Sequence, residues 1–200
     1  TACEDAEVIM VFGANPTENH PVAATFFKQQ AKVGKTLIVC DPRGQALRKQ
    51  ATHMLQFKPG TDVAMLNAML YVIVEEGLHD EQFVQARTDG FKKLREHLKD
   101  YAPEKMANIC GIDAETLRTV ARTYATSNAS MVFWGMGISQ HTHGTDNARC
   151  LIDLALITGQ VGRPRFEAHR GALALQHRVR RADVACGRPS PLTLSATRVG

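Results

Sequence analysis

The sequence predicts an α/β fold, a doubly wound, mostly parallel sheet with helices on both faces, as in dinucleotide-binding domains. Two observations support this prediction. Short, continuously apolar runs alternate with segments of helical periodicity, as expected for strands that are covered on both faces. Several of these runs also end in polar or glycine-rich loops, and in open parallel sheets such loops line the edge where ligands bind.

Four apolar runs predict the strands of this sheet, at residues 8–12, 35–41, 54–57 and 131–137. The first run, VIMVF, is apolar at every position, which is typical of a buried parallel strand rather than of a strand with one wet face. Because helical segments separate the runs, the strands should be joined by crossovers and should therefore be parallel.

The helices are predicted from apolar spacing and from their start and stop signals. The first begins with Asn19 as N-cap, has Pro21 in its first turn and ends at Gly34. Asp62 and Asp113 are predicted to cap two later helices. The remaining helical segments are a short helix at 43–50, two or three helices within 80–111 and a helix at 146–158.

Composition excludes several classes of function. The chain has 200 residues, 44% of them hydrophobic and 22% charged, and no apolar run is long enough to predict a membrane span. The net charge of +4 comes from the tail: residues 1–164 carry 17 basic and 18 acidic residues, whereas residues 165–200 carry 7 Arg and 2 acids. That tail has one aromatic residue, so we predict no nucleic-acid binding. The five cysteines include no CxxC pair, so neither disulfides nor a self-contained metal site are expected.

Three of the predicted strands end in loops suited to a nucleotide. These loops are Gly13-Ala14-Asn15, Asp41-Pro42-Arg43 and Gly135-Met136-Gly137. Asp41 follows the second strand, where an acid commonly binds ribose hydroxyls, and Gly13 permits close approach of the backbone to a ligand. The chain has neither G-x-G-x-x-G after the first strand nor a P-loop, so an ordinary NAD or ATP site is disfavoured.

Five ordered blocks of sequence resemble one known family. They are VFGANPTENHP, LIVCDPR, FKPGTD, the helical block beginning NAML, and WGMGISQ. Over residues 1 to about 164 the chain resembles the molybdopterin oxidoreductase superfamily, and it is most similar to the large subunit of formate dehydrogenase. The resemblance implies that this region binds a guanine dinucleotide arm of a bis-molybdopterin guanine dinucleotide (bis-MGD) cofactor containing molybdenum or tungsten.

The resemblance also implies which residues of this chain bind the cofactor. The first loop contributes Phe12, Gly13, Asn15, Glu18 and His20. The second loop, beside the guanosine, contributes Cys40, Asp41, Pro42 and Arg43. The third and fourth loops contribute Gly60 and Asp62, and Gly135, Met136 and Gln140. These residue types suit a long anionic ligand rich in ring nitrogens, because they supply backbone approach, amide and carboxylate groups and a cation.

The family motifs that are missing limit what the chain is expected to do. The metal-ligating Cys or selenocysteine and the iron–sulfur motif of the family lie upstream of this region, so no catalytic or metal-binding residue is predicted here. We therefore expect an internal fragment of a longer subunit, inactive by itself. Residues 1–164 form the predicted cofactor-binding domain. The Arg-rich residues 165–200 are predicted to be disordered or the product of a shifted reading frame, which sequencing across codon 164 would test.

The resemblance implies a function for the parent protein. It would oxidise formate to CO2 and pass electrons to the metal–pterin centre and to a 4Fe-4S cluster outside this chain. Electron-transfer subunits are the implied partners, and a cytoplasmic location is expected. Two alternatives stay open: another enzyme of the superfamily, of nitrate or thiosulfate reductase type, and a non-catalytic nucleotide-binding module. His141 and His143 lack a third ligand of fitting spacing, so they predict no metal site.

Overall fold

The computed structural model describes residues 2–161 and 192–194. Its main feature is a four-stranded parallel sheet in the order β3-β2-β1-β5. The four strands are β1 Val8–Phe12, β2 Thr36–Cys40, β3 His53–Leu55 and β5 Ser130–Trp134. The predicted parallel sheet is therefore confirmed, with each strand within a few residues of its expected position.

Ten α-helices and one 3-10 turn are present among the described residues. The first four are α1 Ala2–Asp5, α2 Pro16–Asn19, α3 Pro21–Lys32 and α4 Asp62–Glu75. They are followed by α5 Glu81–Arg87, α6 Phe91–Leu98, α7 Pro103–Cys110, α8 Ala114–Thr126, α9 Met136–Ser139 and α10 Gly144–Ile157. The 3-10 turn is Ala46–Lys49. None of the helices in the described part of the chain combines the length and apolarity that crossing a bilayer requires.

The sheet is covered on both faces because its strands are apolar on both faces. Met10 and Phe12 of β1 pack in a large core with α4, α8 and α10. Ile9 and Val11 point to the opposite face, where they pack in a smaller core with Phe27 of α3. Successive side chains of a strand alternate between faces, so the VIMVF run serves both cores. This arrangement confirms the doubly wound fold with helices on both faces.

The chain direction across the sheet reverses at β1. The connections from β1 to β2 and from β2 to β3 proceed to one side, and the chain then returns to place β5 on the other side of β1. The carboxyl ends of β1 and β5 thus form a topological switch point, the place where open α/β sheets bind ligands.

Two predicted helix caps are wrong. Asp62 lies inside the first turn of α4, and the N-cap is Thr61, whose side chain makes no capping bond. Asn19 is the last residue of α2, and His20 is the N-cap of α3. By contrast, Asp113 caps α8 as predicted, because its Oδ1 accepts a hydrogen bond of 2.9 Å from the Thr116 N–H.

Several short elements were not predicted. The helices α2 and α9 occupy stretches for which the sequence predicts a loop and a strand end, and α10 begins at Gly144 rather than at 146. The segment 43–50 contains only the 3-10 turn. Such single-turn elements depend on the position of the flanking strands more than on local propensity, which explains why periodicity missed them.

A second, two-stranded parallel sheet joins β4 Thr88–Asp89 to β6 Leu192–Thr193. The Leu194 N–H donates to the Asp89 carbonyl oxygen at 2.9 Å, and Leu194 is buried in the large core. The prediction for residues 165–191 and 195–200 lies outside the described residues.

A cluster of charged residues joins α4, α7 and α8 on the surface. Arg122 binds both carboxylate oxygens of Glu76, at 2.8 and 2.9 Å, and Arg118 binds Glu104 at 2.8 Å. The hydrogen bond from Arg122 lowers the pKa of Glu76 below its ordinary value of 4.5. A carboxyl with a lowered folded-state pKa stabilises the protein above its unfolded pKa and loses this contribution as the pH falls.

We expect Glu76→Gln to lower the melting temperature at pH 7 and to have progressively less effect as the pH falls through and below about 4.5. Thermal unfolding of wild-type and variant protein between pH 7 and 3.5 measures this difference. Glu96→Gln is the control, because within residues 2–161 and 192–194 the ion pair of Glu96 is with the exposed Lys99 alone. If Glu76→Gln lowers the melting temperature by the same amount at pH 7 and at pH 3.5, the destabilisation does not come from the charge of Glu76.

Candidate nucleotide-binding site

The four strands of the sheet end in one row. Phe12 at the end of β1 is in register with Cys40 of β2 on one side and with Trp134 of β5 on the other. Cys40 in turn is in register with Leu55 of β3. All four following loops therefore leave the sheet at the same edge, as the sequence predicted.

Backbone hydrogen bonds connect these loops to neighbouring strands. The Gly13 N–H donates to the Cys40 carbonyl oxygen at 2.9 Å, and the Asp41 N–H donates to that of Leu55 at 3.2 Å. On the other side, the Gly135 N–H donates to the Phe12 oxygen at 3.2 Å. The backbone hydrogen bonds of the sheet thus continue one residue past β1, β2 and β5, which fixes the first residue of the loops that follow these strands.

The first and fourth loops contact each other through glycine. Gly13 has a φ of +54°, and its carbonyl oxygen accepts a hydrogen bond of 3.0 Å from the Gly137 N–H. A Cβ at residue 137 would lie 2.5 Å from this oxygen, closer than any real contact. Glycine is therefore required at 137 for the two loops to lie at this distance.

Asp41 is the central acid of the second loop. Only 2% of it is exposed, its Oδ1 accepts a bond of 2.7 Å from the Arg43 N–H, and its Oδ2 accepts one of 3.3 Å from Gln45 Nε2. Arg43 Nε lies 3.6 Å from Asp41 Oδ1, but the Arg43 side chain is 77% exposed. The loop thus combines an oriented carboxylate with a cation that is free to contact a ligand.

Two further predicted residues lie just behind the loops. Cys40 is fully buried, and desolvation, followed by the charges of Asp41 and Asp62, raises the pKa of its thiol, which favours the neutral thiol in this core position. Burial also raises the pKa of Asp62, while a backbone hydrogen bond and the charge of His141 oppose this rise. Asp62 thereby connects the third loop electrostatically with the fourth.

The exposed predicted residues lie on the rim. Glu18, His20, Gly60 and Gln140 are all exposed, and Met136 is 62% exposed. The His20 ring lies 5.9 Å from that of Phe133, and the Gln140 N–H donates to the Met136 carbonyl oxygen at 2.8 Å. A ligand on this edge would find these side chains accessible.

Other predicted residues have structural contacts. The ring of Phe12 packs 5.5 Å from that of Phe57 in the core, so Phe12 can offer a ligand only its backbone. Asn15 Oδ1 accepts a hydrogen bond of 2.6 Å from Thr17 Oγ1. Pro42 is half-buried, and its carbonyl oxygen accepts a bond of 3.1 Å from Gln56 Nε2.

Two residues at this edge, Gln45 and His141, are not among the cofactor-binding residues that the sequence predicts, and Gly137, which the sequence places in the fourth loop, gains a specific contact only in the structure. A Gly-x-Gly pattern at 135–137 could have indicated Gly137 as a close-approach position. Gln45 follows the second loop in a segment without periodicity, so no sequence signal could have shown its contacts. In the part of the chain that the structure describes, no three His, Cys, Asp or Glu side chains form a metal-binding group.

Three helices that begin near this edge have no side-chain cap at their N-terminus. The helices α3, α4 and α10 follow β1, β3 and β5, and their N-caps His20, Thr61 and His143 make no side-chain capping bond. Of the helices that begin elsewhere, α5 and α8 are capped by Asp80 and Asp113, whereas α6 and α7 have no side-chain cap. Free N–H groups at helix starts favour anions. Together with the exposed Arg43 and the glycine loops, they suit a dinucleotide with a pyrophosphate.

The fold and the arrangement of this edge are those of an α/β domain of the dinucleotide-binding type. The family model for molybdopterin oxidoreductase matches residues 1–191, and the chain belongs to this family. Membership implies a cofactor in which a pterin binds molybdenum or tungsten.

Proteins of similar sequence support this family assignment. The chain is 38% identical to formate dehydrogenase H of Escherichia coli and 40% identical to the F420-dependent formate dehydrogenase subunit alpha of Methanocaldococcus jannaschii. Both alignments cover 80% of this chain but only 22% and 24% of those relatives, so the chain spans less than a quarter of their length.

Two further relatives have other activities in their names. A nitrate reductase of Symbiobacterium thermophilum is 37% identical over 172 residues, which cover 80% of this chain and 23% of that protein. Among solved structures, the acetylene hydratase of Pelobacter acetylenicus matches with a TM-score of 0.76 and 28% identity, over 80% of this chain and 22% of that one. The same domain thus occurs in relatives with different substrates.

Proposed function

We propose that this chain is the part of a formate dehydrogenase-type enzyme that binds one guanine dinucleotide arm of a bis-MGD cofactor. The parent protein would oxidise formate to CO2. When bound, the metal–pterin group would supply the redox chemistry, and a 4Fe-4S cluster outside this chain would accept the electrons. This chain contributes binding and orientation.

The observation that carries the proposal is the convergence of four loops at one edge of the sheet. Gly13 and Gly137 allow backbone approach, Asp41 offers an oriented carboxylate, and Arg43 offers a cation. Gln140 adds an exposed amide on the rim. These groups complement the amino groups, hydroxyls and phosphates of a guanine dinucleotide.

Formate is proposed as the substrate because formate dehydrogenases appear among the relatives at 38–40% identity. The subunit designation of the Methanocaldococcus relative supports electron-transfer subunits as partners of the parent. A cytoplasmic location of the parent remains a prediction. A nitrate reductase activity is the second candidate, because a nitrate reductase matches at 37% identity.

The test uses the purified full-length parent protein. Metal analysis and fluorescence of the oxidised pterin measure the cofactor, formate-dependent reduction of a viologen dye measures the proposed reaction, and nitrate-dependent oxidation of the reduced dye measures the alternative. We expect molybdenum or tungsten, pterin and formate-dependent reduction. The 200-residue chain alone, as a control, should not turn over formate.

Each other outcome contradicts the proposal in a different way. Metal and pterin with nitrate-dependent oxidation alone would assign the parent to the nitrate reductase type. A parent that binds guanine nucleotide but contains neither metal nor pterin would be a non-catalytic nucleotide-binding module.

A further inference from the structure

Gln45 connects the first and second loops of the site. Its Nε2 donates to the Ala14 carbonyl oxygen at 2.7 Å and to Asp41 Oδ2 at 3.3 Å. Gln45 is 6% exposed, so both bonds are shielded from water. No other side chain of the described residues bonds both to the first loop and to the Asp41 carboxylate.

These two bonds fix the orientation of the Gln45 amide. Both partners are acceptors, so the NH2 group must face them, and a flipped amide would place oxygen against oxygen. The amide oxygen Oε1 therefore points away from both, and it is buried without a hydrogen-bond donor among the described residues. Such an acceptor is costly, because it has lost water without gaining a donor.

An unpartnered oxygen alone does not indicate a site. Gln50 also has a buried Oε1 without a donor, but it lies just before β3, at the opposite end of the sheet from the loops. What distinguishes Gln45 is that its amide is held by Ala14 and Asp41, two residues of the candidate site.

We propose that Gln45 is a positioning and specificity residue of the nucleotide site. Its Nε2 holds the Asp41 carboxylate against the first loop, and its Oε1 accepts a hydrogen bond from the bound guanine nucleotide, from either the purine amino group or a ribose hydroxyl. This inference rests on the proposed function for the identity of the nucleotide. Because Oε1 is buried without ligand, binding includes a rearrangement of the loop around it.

The test measures nucleotide selectivity in the full-length parent protein, purified without its cofactor. GDP, IDP and 2′-deoxy-GDP are titrated calorimetrically into wild type and Gln45→Met, a change that keeps side-chain length but removes donor and acceptor. IDP lacks the purine amino group and 2′-deoxy-GDP lacks one ribose hydroxyl. We expect the wild type to prefer GDP over one of these analogues about tenfold, and Gln45→Met to lose that preference.

The matched control is Gln50→Met, which removes the same groups at the other end of the sheet and should leave the preference unchanged. If Gln45 had a purely structural role, Gln45→Met would lower the affinity for all three nucleotides equally. An equal loss of affinity, or an unchanged preference for GDP, would therefore overturn the inference. As a second measurement, the loaded enzyme is dialysed and its remaining guanine nucleotide is quantified. Gln45→Met should lose nucleotide several times faster than Gln50→Met, and equal rates would also overturn the inference.

Failure of this inference differs from failure of the proposed function. A parent protein that oxidises formate but shows no effect of Gln45→Met keeps its function and refutes the role of Gln45. If the parent protein contains no pterin, the proposed function is refuted. If Gln45→Met nevertheless abolishes its preference for GDP, the proposed role of Gln45 in nucleotide selectivity stands.

Discussion

Gly137→Ala should abolish stable cofactor binding. The added Cβ would lie 2.5 Å from the Gly13 carbonyl oxygen and 2.9 Å from the Gly13 Cα. Both are backbone atoms at the end of β1, where the ladder fixes them, so a rotamer change cannot relieve the contact. The first and fourth loops must separate and lose the 3.0 Å hydrogen bond between them.

Overpacking of this kind costs about 1–3 kcal/mol. We therefore expect a lower melting temperature and at least a tenfold lower content of pterin and guanine nucleotide in the purified parent protein. Fluorescence of the oxidised pterin and chromatography of the nucleotide released by acid measure the two contents.

Gly44→Ala is the matched control for this substitution. Gly44 directly follows the second loop. A Cβ at this position would lie 3.4 Å from the end of the Arg48 side chain, which can move. Its cofactor content should equal that of the wild type. Full cofactor content in Gly137→Ala would show that the close contact between the first and fourth loops is not needed for binding.

Asp41→Asn should also remove most of the bound nucleotide. Both carboxylate oxygens of Asp41 accept hydrogen bonds, one from the Arg43 N–H and one from Gln45 Nε2. An asparagine side chain has only one oxygen, so its NH2 group would face one of these two donors. Residue 41 is only 2% exposed, so water cannot compensate. An unsatisfied buried donor costs about 1–3 kcal/mol, and the negative charge beside the proposed ribose position is lost as well.

The measurement is the amount of guanine nucleotide and metal per protein in the purified parent, which we expect to fall at least tenfold for Asp41→Asn. Asp100→Asn serves as the control, because Asp100 is exposed after α6 and its substitution should leave both amounts unchanged. An Asp41→Asn protein with full guanine nucleotide content would exclude Asp41 from nucleotide binding.

The two substitutions test different parts of one arrangement. Gly137 sets the distance across the switch point between β1 and β5, whereas Asp41 lies one strand away and is proposed to supply polar recognition. If both proteins keep their fold and lose the nucleotide, the edge acts as one binding surface.

The sequence by itself determined the class of fold and the edge of the sheet at which the polar and glycine-rich loops meet. Runs such as VIMVF are apolar on both faces, which only a strand covered on both sides tolerates, and the helical segments between them require parallel crossovers. The residues after each run, such as Gly13 and Asp41, then necessarily share one edge. The five family motifs added the type of cofactor, which periodicity could not provide.

Only the tertiary structure decided which side chains contact one another at that edge. Phe12 turned inward because alternation along β1 directs it into the large core, and Asp62 lies within the first turn of α4 instead of capping it. The contact of Gln45 with Ala14 spans 31 residues, and that of Gly137 with Gly13 spans even more. Contacts at such distances depend on strand order and register, which the local sequence does not encode residue by residue.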